Sequence, residues 1–308
     1  MSGTQELQLA RIVDSHNFSQ VVQEIIRLFR NHYSKKGSLR LRLVYDKVRS
    51  LFLGEFPGYR ACLSEYHDFR HTMDIVLATA RLIDGRDLEK PFLPESLAAA
   101  LLLAAFFHDA GYIQEEWDTS GTGAKYSREH EERSVALLAK QAEAFDIDRS
   151  ELPVLSRLIR STDLKQDFEE IPFADENERL CGSILGSADL MGQMADREYL
   201  EKLLFLYYEF REANVPGYET EFDILRKTHD FYSGIRQRLD ESYHGVYALA
   251  RTHFRERYGT DSNLYMVAID RQMRYLERII EDDTTNFRAK LKRGDHEKLE
   301  RYSQRPPG

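Results

Sequence analysis

Hydrophobic residues recur at helical rather than alternating spacing along most of the chain. After Tyr66, apolar side chains follow three or four positions apart, at Phe69, Met73, Val76, Leu77 and Ala80. This spacing places them on one face of an α-helix. The same pattern predicts further helices at Arg133–Phe145, Leu152–Thr162, Glu178–Met191, Tyr199–Arg211, Glu221–Arg257 and Leu264–Lys290. We find no convincing strand pattern and no internal repeat.

The stretch from Leu97 to Phe107 is apolar on every side. Pro94 near its start and Gly111 just after its end are typical helix boundaries. A helix that is apolar all round is buried, and this one is shorter than the roughly 20 residues that span a bilayer. We therefore predict an all-α fold, a helical bundle around one central buried helix, with extra N- and C-terminal helices.

No composition shift divides the chain, so the sequence predicts a single all-helical domain over residues 1–308. Within it we place a core at about 59–199. N-terminal helices within 1–58 and C-terminal helices within 200–291 are predicted to pack on that core. The charged, proline-containing end, 292–308, is predicted to be a disordered tail.

The charge balance narrows the class of partner. Lys and Arg number 43 and Asp and Glu 52, giving a net charge of −9. Such a surface repels a phosphate backbone, so we expect no nucleic-acid partner. Two cysteines and the lack of a basic-then-apolar N-terminal segment favour a cytoplasmic protein without a membrane partner. The oligomeric state stays open, and a homo-oligomer is compatible with the sequence.

Three segments carry candidate chemistry. His67 and His71 lie four residues apart on a predicted helix, so both imidazoles should share one face. His108-Asp109 ends the most apolar helix, where burial of an ionisable pair costs on the order of a few kcal/mol unless a group such as a divalent cation compensates. Asp189 lies among small residues that would let its helix approach closely. Read singly, each has a structural explanation: a satisfied histidine pair, a His–Asp helix cap, an exposed aspartate.

Together, these residues resemble a known family. His71, His108-Asp109 and Asp189 are similar to the H…HD…D pattern of the HD superfamily of metal-dependent phosphohydrolases. Within that superfamily, three segments resemble the YHNxxHxxDV, ATD and CADL motifs of class I cyclic nucleotide phosphodiesterases: Tyr66–Ile75, Ser161–Asp163 and Ser187–Leu190. The resemblance covers roughly residues 59–199.

The resemblance implies a site and its cofactors. The implied ligands of one tightly held metal (Zn, Fe, Mn or Ni) are His71, His108, Asp109 and Asp189. Asp109 would also bridge to a second ion, Mg or Mn, and His67 would stay off the metal and protonate the leaving oxygen. We place His130 and Asp163 as candidates for the second metal or its water. Supporting roles are assigned to Tyr66, Asp74 and Thr162.

Departures from the motifs leave the substrate open. Asp68 replaces the signature asparagine, Tyr112 stands where a further histidine is expected, and no C-terminal glutamine can be matched. We expect a small phosphate ester of a nucleotide, cleaved as by a phosphodiesterase. Alternatives are a nucleotide phosphomonoesterase or alarmone hydrolase, or a non-catalytic sensor of metal or nucleotide, or a helical scaffold. His67 favours an enzyme, because a pure binder needs no leaving-group acid.

The glycine-rich stretch Gly121–Lys125 is a candidate phosphate loop. Glycine turns leave backbone N–H groups free, and Lys125 and Arg133 would add positive charge at a substrate phosphate. A flexible surface loop is the alternative. The aromatic stripe after Asp189 is typical of a core, and it is also the first place to seek a nucleobase slot: Tyr199, Leu203, Leu206, Tyr207 and Phe210.

Overall fold

The computed structural model describes residues 7–89, 92–282 and 286–304, and this part of the chain is all-α. The described residues contain no β-strand, only an isolated bridge between Tyr59 and Glu115. The all-α prediction is therefore confirmed. The α-helices are α1 (Phe18–Arg30), α2 (Lys35–Phe52), α3 (Phe69–Glu89), α4 (Glu95–Phe107), α5 (His130–Gln141), α6 (Leu152–Arg160), α7 (Glu176–Met194), α8 (Tyr199–Glu212), α9 (Glu221–Gln237), α10 (Leu249–Tyr258), α11 (Leu264–Glu281) and α12 (His296–Ser303).

Polar side chains set the start of several helices. Asn17, Ser34 and Asp175 each accept a backbone N–H in the first turn of α1, α2 and α7. At α3 the carboxylate of Asp68 accepts the backbone N–H of His71 at 2.8 Å. Asp68, the departure from the signature asparagine, therefore serves as a helix cap.

Helix α4 is buried at every position from Ala98 to Phe107. It packs against α2, α3, α6 and α7, and α3 packs in turn against α1, α7 and α10. The start of α3, the end of α4 and the middle of α7 thereby come together. None of the described helices is both long enough and apolar enough to cross a membrane.

Some helix boundaries differ from the prediction. Helix α3 begins at Phe69, so His67 precedes it. The predicted helix over Glu221–Arg257 is interrupted by a π-helical turn and by positive φ angles of 54° at His244 and 68° at Gly245. The break follows from tertiary packing, since the hydroxyl of Tyr243 donates to the carbonyl oxygen of Ser161 at 2.7 Å. Helix α11 likewise ends at Glu281 rather than Lys290.

The prediction of a disordered tail from residue 292 is wrong for the described part of that segment. Helix α12 occupies His296–Ser303, and Leu299 and Tyr302 on it are buried. The ring of Tyr302 packs edge-on against Phe205, with centroids 5.8 Å apart. Two apolar residues three positions apart are enough to dock a short helix on α8. Residues 305–308 lie outside the described residues.

Candidate metal centre

The four predicted metal ligands converge where α3, α4 and α7 meet. Nε2 of His71 lies 3.1 Å from Oδ2 of Asp109, and Nε2 of His108 lies 3.2 Å from the same oxygen. Oδ1 of Asp189 lies 3.7 Å from both imidazole nitrogens. The ligand atoms of His71, His108 and Asp109 lie within 4.8 Å of one another, and all three residues are buried. This group could hold a metal ion.

Two polar atoms in the cluster test that fit. Nε2 of His108 and Oδ2 of Asp109 are buried, yet neither has a hydrogen-bond partner within the described residues. Nδ1 of His108 lies 2.9 Å from the carbonyl oxygen of Ala105, which can only accept, so a neutral His108 keeps its lone pair on Nε2. Unpartnered buried atoms of this kind cost about 1–3 kcal/mol each, so the donor set fits a cation.

The pKa shifts of His108 and Asp109 also favour a bound cation. Burial by itself would lower the pKa of His108, but the Asp109 carboxylate outweighs it and raises that pKa to about 9. Burial would raise the pKa of Asp109, yet the imidazole of His108 holds it well below its usual range. The Asp109 carboxylate therefore favours positive charge beside it, which a divalent cation would supply.

A close backbone approach brings α5 to the cluster. A Cβ on Gly111 would lie 2.0 Å from the carbonyl oxygen of His130, so only glycine fits there. The hydroxyl of Ser134 donates to the carbonyl oxygen of His108 at 2.7 Å and accepts the N–H of Gly111 at 2.8 Å. These contacts fix the start of α5 against the His108-Asp109 segment.

His130 consequently faces the second oxygen of Asp109. Its Nε2 lies 3.4 Å from Oδ1 of Asp109, while its Nδ1 lies 3.2 Å from the carbonyl oxygen of Ser127. Burial lowers the pKa of His130 to about 4, so the imidazole is neutral and can offer a lone pair. Burial, with the neighbouring carboxylates of Asp163 and Asp109, raises the pKa of Glu131 to about 7. Carboxylates therefore gather beside His130, where the second ion was predicted.

Glu209 of α8 holds His67, and sequence analysis missed this residue. Glu209 is fully buried, and its Oε2 lies 2.7 Å from Nδ1 of His67. Its Oε1 accepts the backbone N–H groups of Glu65 and Tyr66 at 2.9 and 2.8 Å. These three bonds keep His67 outside α3. The only signal in the sequence was that Glu209 follows the apolar Phe205 by four residues, so that both fall on one face of a helix.

The imidazole of His67 is positioned beside the cluster without joining it. Its ring centroid lies 5.7 Å from that of His71. Tyr112 stacks on it with centroids 4.2 Å apart, and Tyr112 also contacts the ring of His130 at 4.6 Å. Burial would lower the pKa of His67, but the carboxylate of Glu209 raises it above its ordinary value. The Glu209 carboxylate therefore favours the protonated form of His67.

The cluster opens on a cavity of about 980 Å³, which we call the large cavity. His67, His71, Asp109 and Asp189 line it together with apolar side chains of α8 and α9. Of the predicted aromatic stripe, four residues line the cavity, namely Tyr199, Leu203, Leu206 and Phe210. The fifth, Tyr207, donates to the carbonyl oxygen of Glu219 instead. Three cations that sequence analysis did not single out also line it: Arg128, Lys165 and Lys227.

The structure does not bring the predicted phosphate contacts, Lys125 and Arg133, to the large cavity. Nζ of Lys125 lies 2.5 Å from Oδ1 of Asp118, and it also donates to Ser120. Nε of Arg133 donates to the carbonyl oxygen of Gly111 at 2.8 Å, and its guanidinium stacks on Tyr126. Neither side chain lines the large cavity. Lys125 thus holds the loop together, while Arg133 joins α5 to the segment that follows α4.

The glycine-rich loop is itself tied down. Gly121 has a φ of +56°, in the left-handed region that favours glycine. The N–H and the hydroxyl of Thr122 donate to the carboxylate of Glu212 at 2.6 and 2.8 Å. The N–H group at Thr122 is thus already partnered by α8 and is not free for a phosphate.

The supporting residues divide between two sides of α3. Tyr66 lines the large cavity and donates its hydroxyl to Oε1 of Gln193 at 2.6 Å. Thr162 and Asp163 also line that cavity. Asp74 does not, because it faces Asp196 on the other side of the helix. Burial and the Asp196 carboxylate raise the pKa of Asp74 to about 7.

Comparison with known proteins gives the family. The Npun_R2479-like family model matches residues 21–244, more than half of the chain. The chain belongs to the Npun_R2479-like family. The range matched by this family contains the four predicted metal ligands, together with His67, His130 and Glu209. No curated protein matches the chain significantly.

Proposed function

We propose that the protein is a metal-dependent phosphohydrolase of the HD type that cleaves a phosphate ester, with a nucleotide as the favoured substrate. The observation that carries this proposal is the unpartnered, buried pair of Nε2 of His108 and Oδ2 of Asp109 beside the large cavity. Helix α4, which ends in that pair, would be the central helix of the HD bundle. A cytoplasmic location belongs to the same proposal.

The chain offers ligands for one metal and a place for another. His71, His108, Asp109 and Asp189 would hold the tightly bound ion, for which Zn, Fe, Mn and Ni suit the mixed imidazole and carboxylate set. Oδ1 of Asp109, on the His130 side, would face the second ion, Mg or Mn. When bound, such ions polarise a phosphoryl group and lower the pKa of a coordinated water.

His67 would act as the general acid. Glu209 accepts the hydrogen on Nδ1, which leaves the proton on Nε2 for the leaving oxygen of the ester. The raised pKa of His67 favours the form that carries that proton. A protein that only senses metal or nucleotide has no use for a buried carboxylate behind a histidine, so this pair favours an enzyme.

The lining of the large cavity supports an organic phosphate. Arg128, Lys165 and Lys227 could pair with phosphate oxygens, while Tyr199 and Phe210 present aromatic surface. A nucleotide combines both features, with a charged phosphate and a flat base. Cyclic nucleotides, mononucleotides and alarmones all satisfy this description.

Metal analysis of untreated protein, paired with a nucleotide panel supplied with Mn²⁺, Mg²⁺ or Fe²⁺, tests the proposal. Wild-type protein should carry tightly held metal and release phosphate or open a cyclic phosphate ring. Asp109→Ala should lose both, because Asp109 contacts the whole cluster. Asp118→Ala is the matched control, since Asp118 binds Lys125 away from the cluster. Stoichiometric metal in Asp109→Ala would overturn the assignment, and metal without turnover would leave a sensor.

A further inference from the structure

A second cavity, of about 460 Å³, lies on the other side of α3. Its wall includes the N-terminal segment at Leu9 and Val13, the α3 residues Arg70, Asp74 and Arg81, and Lys292. It shares no lining residue with the large cavity. We propose that this charged cavity binds a small organic anion, recognised through its carboxylate or phosphate oxygens. The proposal does not depend on phosphohydrolase activity.

The main evidence for the proposal is the buried guanidinium of Arg81, which is only partly hydrogen-bonded. Arg81 is only 2% exposed, and its Nη1 donates to the hydroxyl of Tyr265 at 2.9 Å. Its Nε and Nη2 have no hydrogen-bond partner in the described part of the chain. The rings of Phe254 and Tyr265, each 5.6 Å away, stabilise the charge but do not accept those two N–H groups in its plane. Two adjacent N–H donors in one plane suit a bidentate oxyanion.

The other charged side chains on the wall are four cations and four carboxylates, so Arg81 leaves one net positive charge. Arg70 is paired with Asp196 and Glu198 at 2.7 and 2.6 Å. Three further cations on the wall have no carboxylate within ion-pair distance among the described residues: Arg197, Lys292 and Arg293. Asp14 and Asp74 are the remaining carboxylates on the wall.

Two features point to a small organic ligand rather than a bare ion. Leu9, Val13 and Leu77 give the wall apolar surface. The volume lies within the range of small-molecule sites, roughly 300–1,000 Å³.

Hydrogen exchange on the full-length protein tests this inference. Inorganic phosphate and butyrate are the probes, each compared with chloride at equal ionic strength. Binding should slow amide exchange in segments 9–16 and 290–296, which border the charged cavity. Protection by phosphate alone identifies a phosphate ligand, protection by butyrate a carboxylate, and either supports the site. Unchanged exchange with both anions would overturn it.

Variants that remove positive charges test whether the protection from exchange arises in the charged cavity. Arg81→Gln should weaken anion binding by roughly 10–100-fold, which is the range expected when hydrogen bonds to a charged group are lost. A double variant, Arg197→Gln with Lys292→Gln, changes only exposed side chains. It should weaken anion binding several-fold, and it decides the test if Arg81→Gln does not fold. Lys36→Gln, an exposed cation outside the cavity, should bind as wild type. Asp109→Ala should also keep the protection, which separates this site from phosphate binding in the large cavity. Protection that survives both cavity variants would refute the inference.

Discussion

Glu209→Gln changes one charge at the point where α8 holds His67. The glutamine oxygen can still accept the N–H groups of Glu65 and Tyr66, as Oε1 does now at 2.9 and 2.8 Å. Its amide nitrogen would then face Nδ1 of His67, where the carboxylate now accepts at 2.7 Å. Two donors cannot share that contact, so Nδ1 must lose its hydrogen and the imidazole becomes neutral.

The size of the effect follows from that lost charge. Glu209 raises the pKa of His67 against the effect of burial, which acts in the opposite direction. A hydrogen bond to a charged group contributes about 1.5–3 kcal/mol, so turnover of an ester with a poor leaving group should fall roughly 10–100-fold. Activity needs the protonated form of His67 and is lost as pH rises through its pKa. The alkaline limb of the pH profile should therefore move to lower pH in Glu209→Gln.

The assay compares two esters of the same phosphate. A nitrophenyl ester needs little protonation of its leaving group, so its hydrolysis should be nearly unaffected, and metal content should stay at the wild-type level. Glu201→Gln is the control, because Glu201 is also a buried carboxylate of α8 but accepts from the backbone of Arg293. Equal losses on both esters, or depleted metal, would refute the role given to Glu209 and His67.

Two further predictions concern substrate contacts and stability. Lys165→Gln should raise KM by roughly tenfold in steady-state assays, since Lys165 lines the large cavity, whereas Lys125→Gln should leave KM unchanged because its charge is used by Asp118. The opposite ranking would restore the glycine-rich loop as the phosphate site. Asp84→Asn should destabilise the fold by about 3–5 kcal/mol in urea titrations at pH 7, because Asp84 is buried between His32, His253 and Arg257. Burial would raise the pKa of Asp84, but these partners hold it well below its usual range. The contribution of Asp84 to the free energy of unfolding is therefore present above about pH 4 and is lost as pH falls further. The cost of the variant should therefore shrink in acid, and a cost independent of pH would contradict this reasoning.

The helical class could be predicted from the sequence because apolar residues recur at helical spacing along most of the chain. The uniformly apolar stretch of α4 carried local information that tertiary packing did not override. The break at His244 and Gly245 could not be predicted in this way. It depends on Tyr243 reaching Ser161, which is distant along the chain.

The convergence of the predicted metal ligands could be expected for a different reason. His71, His108, Asp109 and Asp189 belong to short motifs, and the structure brings them together. Glu209 belongs to no motif that we matched and contacts His67 across more than a hundred residues. The contacts of Lys125 and Arg133 could not be predicted, because composition shows which charges are present in a loop but not which partners they contact.

Helix α3 lines both cavities, so binding in one cavity can be tested for an effect on binding in the other. His71 faces the large cavity, while Arg70, Asp74 and Arg81 face the charged cavity. His71 and Asp74 also line one small space between them, together with Tyr66 and Lys202. If an anion beside Arg81 changes the metal affinity of the cluster by some factor, metal must change the anion affinity by the same factor. Measuring both affinities with and without the other ligand therefore determines the coupling twice, and a factor of one in each direction would mean that α3 supports two independent sites.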